Sequence, residues 1–448
     1  MRRTLAMAMA ALMAAGLLGG SPAAAAAKPK PPAPPQSPQI PDDQPLPGYT
    51  FNNPPLTPAV IDGKPTRVLQ GAHRHAAYMI EVPPDWNGEL VLWAHGYAGN
   101  TPILSVSPPS LRQKLLDQGY AWAASSFYAN GYDIKAGVLS TRDLALHFAR
   151  LVRKPGRTYI TGASMGGHIV GRSMEEYPGF YAAGLPICGV LGDQEQFDWL
   201  TGYTLVAQAL AGIRAYPPTD EYQTVQVPQI KTALGLDDPA LTDPEGRQLR
   251  AITVNMTGGP RPGTDGAFTQ WKDFLLSRAT PPPGPGLAED PAQVATNLFD
   301  RYTPGSPVNI NRQVQRIAPR NLLARYSPKL TEIPRITGRP SGPVLSLHNL
   351  GDLFVPFSME QFYLQDAKRA RRSHLVVQRA IRASGHCEFT PTELGTAWDD
   401  LVRWTTTGKR PAGDDVLRPG AADFGCKFSD RAAYDAGTGS RRQYPACP

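Results

Sequence analysis

The stretch Tyr159-Ile-Thr-Gly-Ala-Ser164-Met-Gly-Gly-His168 decides how the rest of the chain is read. Arg157 to Thr161 predicts a short buried strand, and Gly167 to about Tyr177 predicts a helix. Between them, Gly162-Ala163-Ser164-Met165-Gly166 is a G-x-S-x-G pentapeptide in a strand–turn–helix setting. Such a turn is too tight for side chains beside the serine, so Gly162 and Gly166 make room. The Ser164 hydroxyl is then exposed at the tip, and the amides that open the helix point at any oxyanion forming there.

Outward from this turn, apolar runs alternate between strand and helix periods. Upstream, Ala77–Val82 and Glu89–Ala94 read as strands about a Pro83-Pro84-Asp85-Trp86-Asn87-Gly88 turn. A helix over Ser110–Gln118, a strand over Tyr120–Ser125 and a helix over Val138–Val152 follow, and Tyr181–Cys188 reads as a further strand. Downstream the rhythm resumes with a strand at Pro343–His348, a helix at Ser358–Ala370, a strand at Leu375–Ile381 and a helix at Pro391–Thr406. This alternation predicts an α/β fold with a mostly parallel sheet flanked by helices. Residues 189–341 break the rhythm at Pro217-Pro218, Gly258-Gly259-Pro260 and Pro281–Gly286. They read as a largely helical cap or lid insertion, with helices at Trp199–Arg214 and Asp290–Arg301, or as a second domain unrelated to the site.

A serine is a poor nucleophile at neutral pH and needs a base, itself oriented by an acid. In the chain order that goes with this elbow, the acid and then the histidine follow the serine, each just past a strand end. Asp352, in His348-Asn-Leu-Gly-Asp352-Leu-Phe-Val-Pro356, fits the acid; His386, in Ala383-Ser-Gly-His386-Cys-Glu-Phe389, fits the base. Asp193, beyond the Cys188 strand, is a rival acid, and Asp198 a weaker one. His168 and His348 read as packed structural histidines. The oxyanion would be held by the Met165 amide and a second amide at the strand end Trp93-Ala-His95-Gly96-Tyr97, for which Tyr97 is the candidate.

Taken together, the His95-Gly96 strand end, the Gly162–Gly166 elbow, the Gly351-Asp352 turn and the Gly385-His386 turn resemble an α/β-hydrolase over about Ala77–Cys188 and Pro343–Thr406. The resemblance implies a serine hydrolase with Ser164, His386 and Asp352 as a triad, a cap inserted after the sixth core strand, and no cofactor or metal. Ser125–Tyr132 and Gly385–Phe389 are similar to segments of exported bacterial esterases and amidases. Tannase and feruloyl esterase relatives carry a cysteine after the histidine but pair it with one just before the serine; here that position is Ala163, so their phenolic substrates do not transfer. Ester cleavage by acyl transfer is the expected chemistry, with an amidase or peptidase on the same triad as the alternative. A non-catalytic binding protein on this fold is a remote alternative, because all three triad members are present.

Composition sets the remaining bounds. The 448 residues include an ordinary 41% hydrophobic share. Met1-Arg2-Arg3, the apolar run to Leu18 and Ser21–Ala27 read as a secretory signal peptide over 1–27, by the general or the twin-arginine route. A Pro-rich linker over 28–50, a first core part over 51–188, a second over 342–408 and a tail over 409–448 complete the expected organisation. No later run approaches ~18 apolar residues, which argues against stable membrane insertion. The net charge of +7, to which Arg2 and Arg3 contribute, is too small to imply nucleic acid. The basic run Lys368–Arg372 reads as a solvated helix terminus.

Cys188, Cys387, Cys426 and Cys447 could form two disulfides in any of three connectivities, or remain buried thiols. Pairing Cys426 with Cys447 would staple the tail, and Cys188 with Cys387 would join segments ending beside the centre. No metal-binding spacing such as C-x-x-C occurs. A secreted protein acting on a small-molecule or oligomeric ester is the resulting expectation. Trp199, Tyr203, Tyr216, Tyr222, Trp271 and Phe274 would suit an apolar or aromatic acyl group, or form the insertion's own core.

Overall fold

The structure, a computed structural model, describes residues 40–278 and 284–447. The expected signal peptide and most of the Pro-rich linker lie outside the described residues. The linker's last residue, Thr50, already belongs to a short strand, Thr50–Asn52, that pairs in parallel with Ile103–Ser105.

An eight-stranded sheet organises the rest. In chain order its strands are β1 (Arg67–His73), β2 (Ala76–Val82), β3 (Leu90–Ala94), β4 (Ala121–Ser125), β5 (Thr158–Ala163), β6 (Ala183–Ile187), β7 (Val344–Asn349) and β8 (Val376–Ile381). Across the sheet they run β8-β7-β6-β5-β3-β4-β2-β1. β1 pairs antiparallel with β2 and β2 antiparallel with β4, while every other neighbouring pair is parallel. β2 to β8 are buried along their length, apart from the half-buried Ala163 that ends β5, as near-continuous apolar runs covered on both faces must be. β1 was not anticipated. Its half-buried Arg-Val-Leu-Gln-Gly-Ala-His sequence is that of an edge strand, with little of the apolar signal that marks a central one.

The crossover helices are α1 (Arg112–Asp117), α2 (Ile134–Leu151) and α3 (Met165–Glu176). α2 starts earlier than its apolar periodicity suggested because Asp133 caps it, accepting from the Ala136 amide. Between β6 and β7 lie the longest helices of the insertion, α4 (Glu195–Leu210), α5 (Pro244–Met256) and α6 (Thr264–Arg278). They enclose a hydrophobic core of their own in which Trp199, Tyr203, Tyr222, Ile252 and Phe268 are nearly inaccessible. α4 is buried almost all round, so it has no polar face by which a moment could reveal it.

The helix expected over Asp290–Arg301 is instead a single 3₁₀ turn, Pro291–Val294. The backbone beyond it is committed to tertiary bonds. The Thr296 amide donates to Asp198, and the Asn297 amide donates to the Ile317 carbonyl. The sheet ends with α7 (Ser358–Arg369) before β8 and α8 (Pro391–Thr407) after it. α8 opens on a complete capping box between Thr390 and Glu393 and closes on Gly408 in the left-handed conformation. Among the described residues, no helix is long and apolar enough to cross a membrane.

Candidate active site

In a parallel sheet the chain leaves every strand at the same edge, so residues far apart in sequence gather beyond the carboxyl ends. Ser164 follows β5, Asp352 follows β7 and His386 follows β8. Ser164 has φ 58° and ψ −120°, a strained conformation that turns the strand abruptly into α3. The flanking glycines are sterically required. A Cβ on Gly166 would lie 2.1 Å from the Ala94 carbonyl oxygen, and one on Gly162 would lie 2.5 Å from that of Gly166.

The three side chains form one relay. The Ser164 Oγ stands 2.9 Å from His386 Nε2, and His386 Nδ1 stands 2.6 Å from Asp352 Oδ2. A carboxylate only accepts, so Nδ1 carries the proton and Nε2 is left to accept from the serine hydroxyl. Asp352 is fully buried, and its Oδ1 accepts from the Phe354 and Val355 amides at 3.0 Å each. Those bonds fix the carboxylate plane. His386 keeps about a fifth of its side-chain surface exposed, enough for a substrate to reach it.

The rival acids sit elsewhere. The Asp193 carboxylate accepts from the Gln194 and Ile336 amides. Asp198 receives both guanidinium nitrogens of Arg325. His168 is buried on α3, where its Nε2 faces the Pro334 carbonyl and its Nδ1 the Tyr132 hydroxyl. A carbonyl only accepts, so Nε2 bears the proton and Tyr132 donates to Nδ1; burial pulls this ring's pKa down to about 4.

His348 behaves in the opposite sense. Burial disfavours its charge, but the Glu360 carboxylate at 3.2 Å outweighs that and raises its pKa. Its Nε2 donates to the Val355 carbonyl at 2.8 Å, while the Val355 amide holds Asp352. The buried Glu360–His348 pair thus braces the loop that carries the acid.

At the end of β3, His95 stacks on Phe127 with ring centroids 4.0 Å apart, and its Nδ1 donates to the Gly96 carbonyl at 2.7 Å. Burial lowers its pKa and keeps the ring neutral. The following Gly96 packs directly on the nucleophile: a Cβ there would lie 3.3 Å from Ser164 Cβ and 3.9 Å from its Oγ. Tyr97 comes next, with its hydroxyl bonded to Asn100 and its side chain half exposed. Met165 opens α3, where a helix has no internal partner for its amides.

Strand order, the strained serine after the fifth strand, the acid after the seventh and the histidine after the eighth are together decisive. The fold is that of an α/β-hydrolase. No family model matches this sequence. It is similar to the o-phthalyl amidase of Xanthobacter agilis, at 27% identity over 117 residues, 26% of this chain and 25% of that protein. The match therefore spans about a quarter of the curated relative's length. Among solved structures, an esterase from Aspergillus oryzae is 13% identical, with a TM-score of 0.42 over 78% of this chain and 81% of that one. An acylaminoacyl peptidase from Pyrococcus horikoshii is also 13% identical, with a TM-score of 0.37 over 79% and 43%.

The four cysteines are paired as Cys188–Cys387 and Cys426–Cys447. The first bond, with Cα atoms 5.2 Å apart, ties the end of β6 to the residue after His386. The six aromatics of the insertion divide in two. Trp199, Tyr203 and Tyr222 are its core, and Tyr216 packs against it half-buried. Trp271 and Phe274 of α6 are also half-buried, but they reach Phe354, whose ring meets His386 edge-on at 5.2 Å. Phe354 escaped sequence reading because its loop carries no periodicity. Asn349 and Glu388 escaped too: Asn349 pairs with both backbone groups of Glu388, linking the acid's strand to the histidine's turn. For Glu388 the signal was its place two residues after His386.

Proposed function

We propose that this protein is a serine hydrolase that cleaves carboxylic esters through an acyl-enzyme intermediate. The observation that carries the proposal is the continuous hydrogen-bonded relay from Ser164 through His386 to Asp352. Ser164 Oγ bonds to the ester carbonyl carbon as its proton passes to His386 Nε2. The C–O bond to the leaving group then breaks, and His386 returns the proton to the departing alcohol. Water, deprotonated by the same imidazole, attacks the acyl-enzyme and releases the acid and the free serine. Asp352 holds the imidazole in the required tautomer and stabilises its cation. The Met165 and Tyr97 amides receive the oxyanion, a role supported by the contact of Gly96 with Ser164.

Phe354, Trp271 and Phe274, beside His386, suit an apolar or aromatic group on the substrate, and the helical insertion acts as a cap over the centre. Two disulfides suit an oxidising compartment and, with the signal-like leader, support export. Amide hydrolysis by the same relay is the second reading, favoured by the partial likeness to an amidase.

The test pairs p-nitrophenyl acetate and benzoate with the matching p-nitroanilides. Wild type turns over the esters, and Ser164→Ala loses roughly four orders of magnitude or more in kcat together with labelling by a fluorophosphonate. Faster cleavage of the anilides would favour the amidase reading, and ester turnover that survives Ser164→Ala would overturn both.

A further inference from the structure

The turn that carries His386 has almost no regular structure of its own. β8 ends at Ile381 and α8 begins at Pro391, so the backbone groups of 382–388 find few partners within either element. Four of them, all within residues 382–385, are met by residues of the last stretch of the chain. The Arg382 amide donates to Ser429 Oγ. The Ala383 carbonyl accepts from the Tyr444 hydroxyl at 2.8 Å, and the Ser384 hydroxyl bonds to the same phenol. The Ser384 and Gly385 amides both donate to Ser440 Oγ, and that hydroxyl donates in turn to the Glu388 carboxylate.

Ser440 therefore uses its one proton and both lone pairs on the residues that flank His386 on either side. Glu388 closes the ring by accepting from the Gly385 amide at 3.0 Å and the Ser440 amide at 2.9 Å.

The segment is itself firmly held. Arg382 is buried, and its guanidinium donates to the Phe424, Pro445 and Ala422 carbonyls, so the stretch wraps around it. Arg441 is buried against Glu393 at 2.8 Å, where α8 leaves the turn. Cys426–Cys447 closes the loop that contains Ser440 and Tyr444. Tyr444 also touches the loop of the acid, since a Cβ on Gly351 would meet its hydroxyl at 2.7 Å.

We infer that residues 422–447 form a clasp that positions the catalytic histidine, with Ser440 and Tyr444 as positioning residues and the Cys426–Cys447 bond holding both in place. The inference rests on the reading of His386 as the general base. Displacing the imidazole by about 1 Å costs on the order of 100-fold in rate, and neither β8 nor α8 reaches the turn, so the clasp completes the hold begun by Cys188, Trp271 and Asn349.

The test uses the full chain carrying Ser440→Ala, Tyr444→Phe or the pair Cys426→Ser/Cys447→Ser, with Arg418→Ala, exposed just before the segment, as control. Ser440→Ala is expected to lower kcat on a p-nitrophenyl ester about 10- to 100-fold with KM within about twofold, because the base and not the binding surface has moved. Hydrogen exchange of the peptide spanning 382–389 should accelerate about tenfold or more. Tyr444→Phe, which removes one hydroxyl and preserves packing, should show the same pattern more weakly, and Arg418→Ala neither effect. Folded Ser440→Ala and Tyr444→Phe proteins with wild-type kcat would overturn the inference, whether or not exchange at the turn had changed. If wild type neither turned over esters or amides nor reacted with a fluorophosphonate, the reading of His386 would fail instead, and unchanged exchange would then show separately that the segment does not hold the turn.

Discussion

Ser164 and His386, the proposed nucleophile and base, are positioned in opposite ways. Ser164 sits where a buried strand meets a helix, and its unusual dihedrals follow from the strand before it, the helix after it and two glycines. His386 sits in an irregular turn whose anchors come from Cys188, Trp271, Asn349, Ser440 and Tyr444. A few adjacent residues build the first position, whereas the second is the meeting point of five distant ones. The elbow should therefore be broken by a single local change and tolerate distant ones, while the turn should respond in smaller steps to many distant changes.

The largest expected effect is at the elbow. Gly166→Val would drive a side chain into the backbone of β3 at Ala94, which cannot move without disturbing the sheet. Loss of soluble protein, or of more than about 100-fold of esterase activity in what remains, is expected from expression yield and turnover. A fully active Gly166→Val enzyme would remove the claim that this turn is locally determined.

An intermediate effect is expected at the turn. Replacing Cys188 and Cys387 together by serine should cost about 2–4 kcal/mol in urea unfolding. It should also lower kcat by a larger factor than it raises KM, because the bond anchors the residue next to the proposed base. Unchanged kcat in the folded double variant would confine the bond to stability.

The smallest effect separates the two regions by pH. His168, on the elbow's helix, has a folded pKa of about 4, so the unfolded chain binds more protons between about 6.5 and 4 and stability falls as the pH drops through that window. His348, under the acid's loop, has a raised pKa, so its contribution is complete below its unfolded pKa and is lost as the pH rises through the folded value. Melting temperature against pH should lose its acid limb in His168→Gln and its alkaline step in His348→Gln. The same slope in a variant and in wild type would refute the assignment for that histidine.

Much of this was legible in the sequence because it is local. The strands after β1 are short apolar runs, the elbow is a pentapeptide in a strand–helix setting, and Asp352 and His386 follow strands in the expected chain order. Each expected strand and helix of the sheet layer appears, shifted by at most a few residues. The insertion was less legible. α5 and α6 went unrecognised, and a helix was expected over 290–301 where Asp198 and Asn297 instead commit the backbone to distant partners.

By itself, then, the sequence determined the α/β layering, the nucleophile's turn and the candidates for acid and base, because periodicity and glycine sterics act over a few neighbouring residues. Only the tertiary structure put Asp352, and not Asp193, against His386, chose one disulfide connectivity among three, and grouped Trp271, Phe274 and Phe354 with His386. It also showed the last stretch of the chain, which has no periodicity, to be the support of the histidine's turn. These outcomes depend on hydrogen bonds and close contacts between residues tens to hundreds of positions apart. Such contacts exist only once a parallel sheet has brought its strand ends to a common edge.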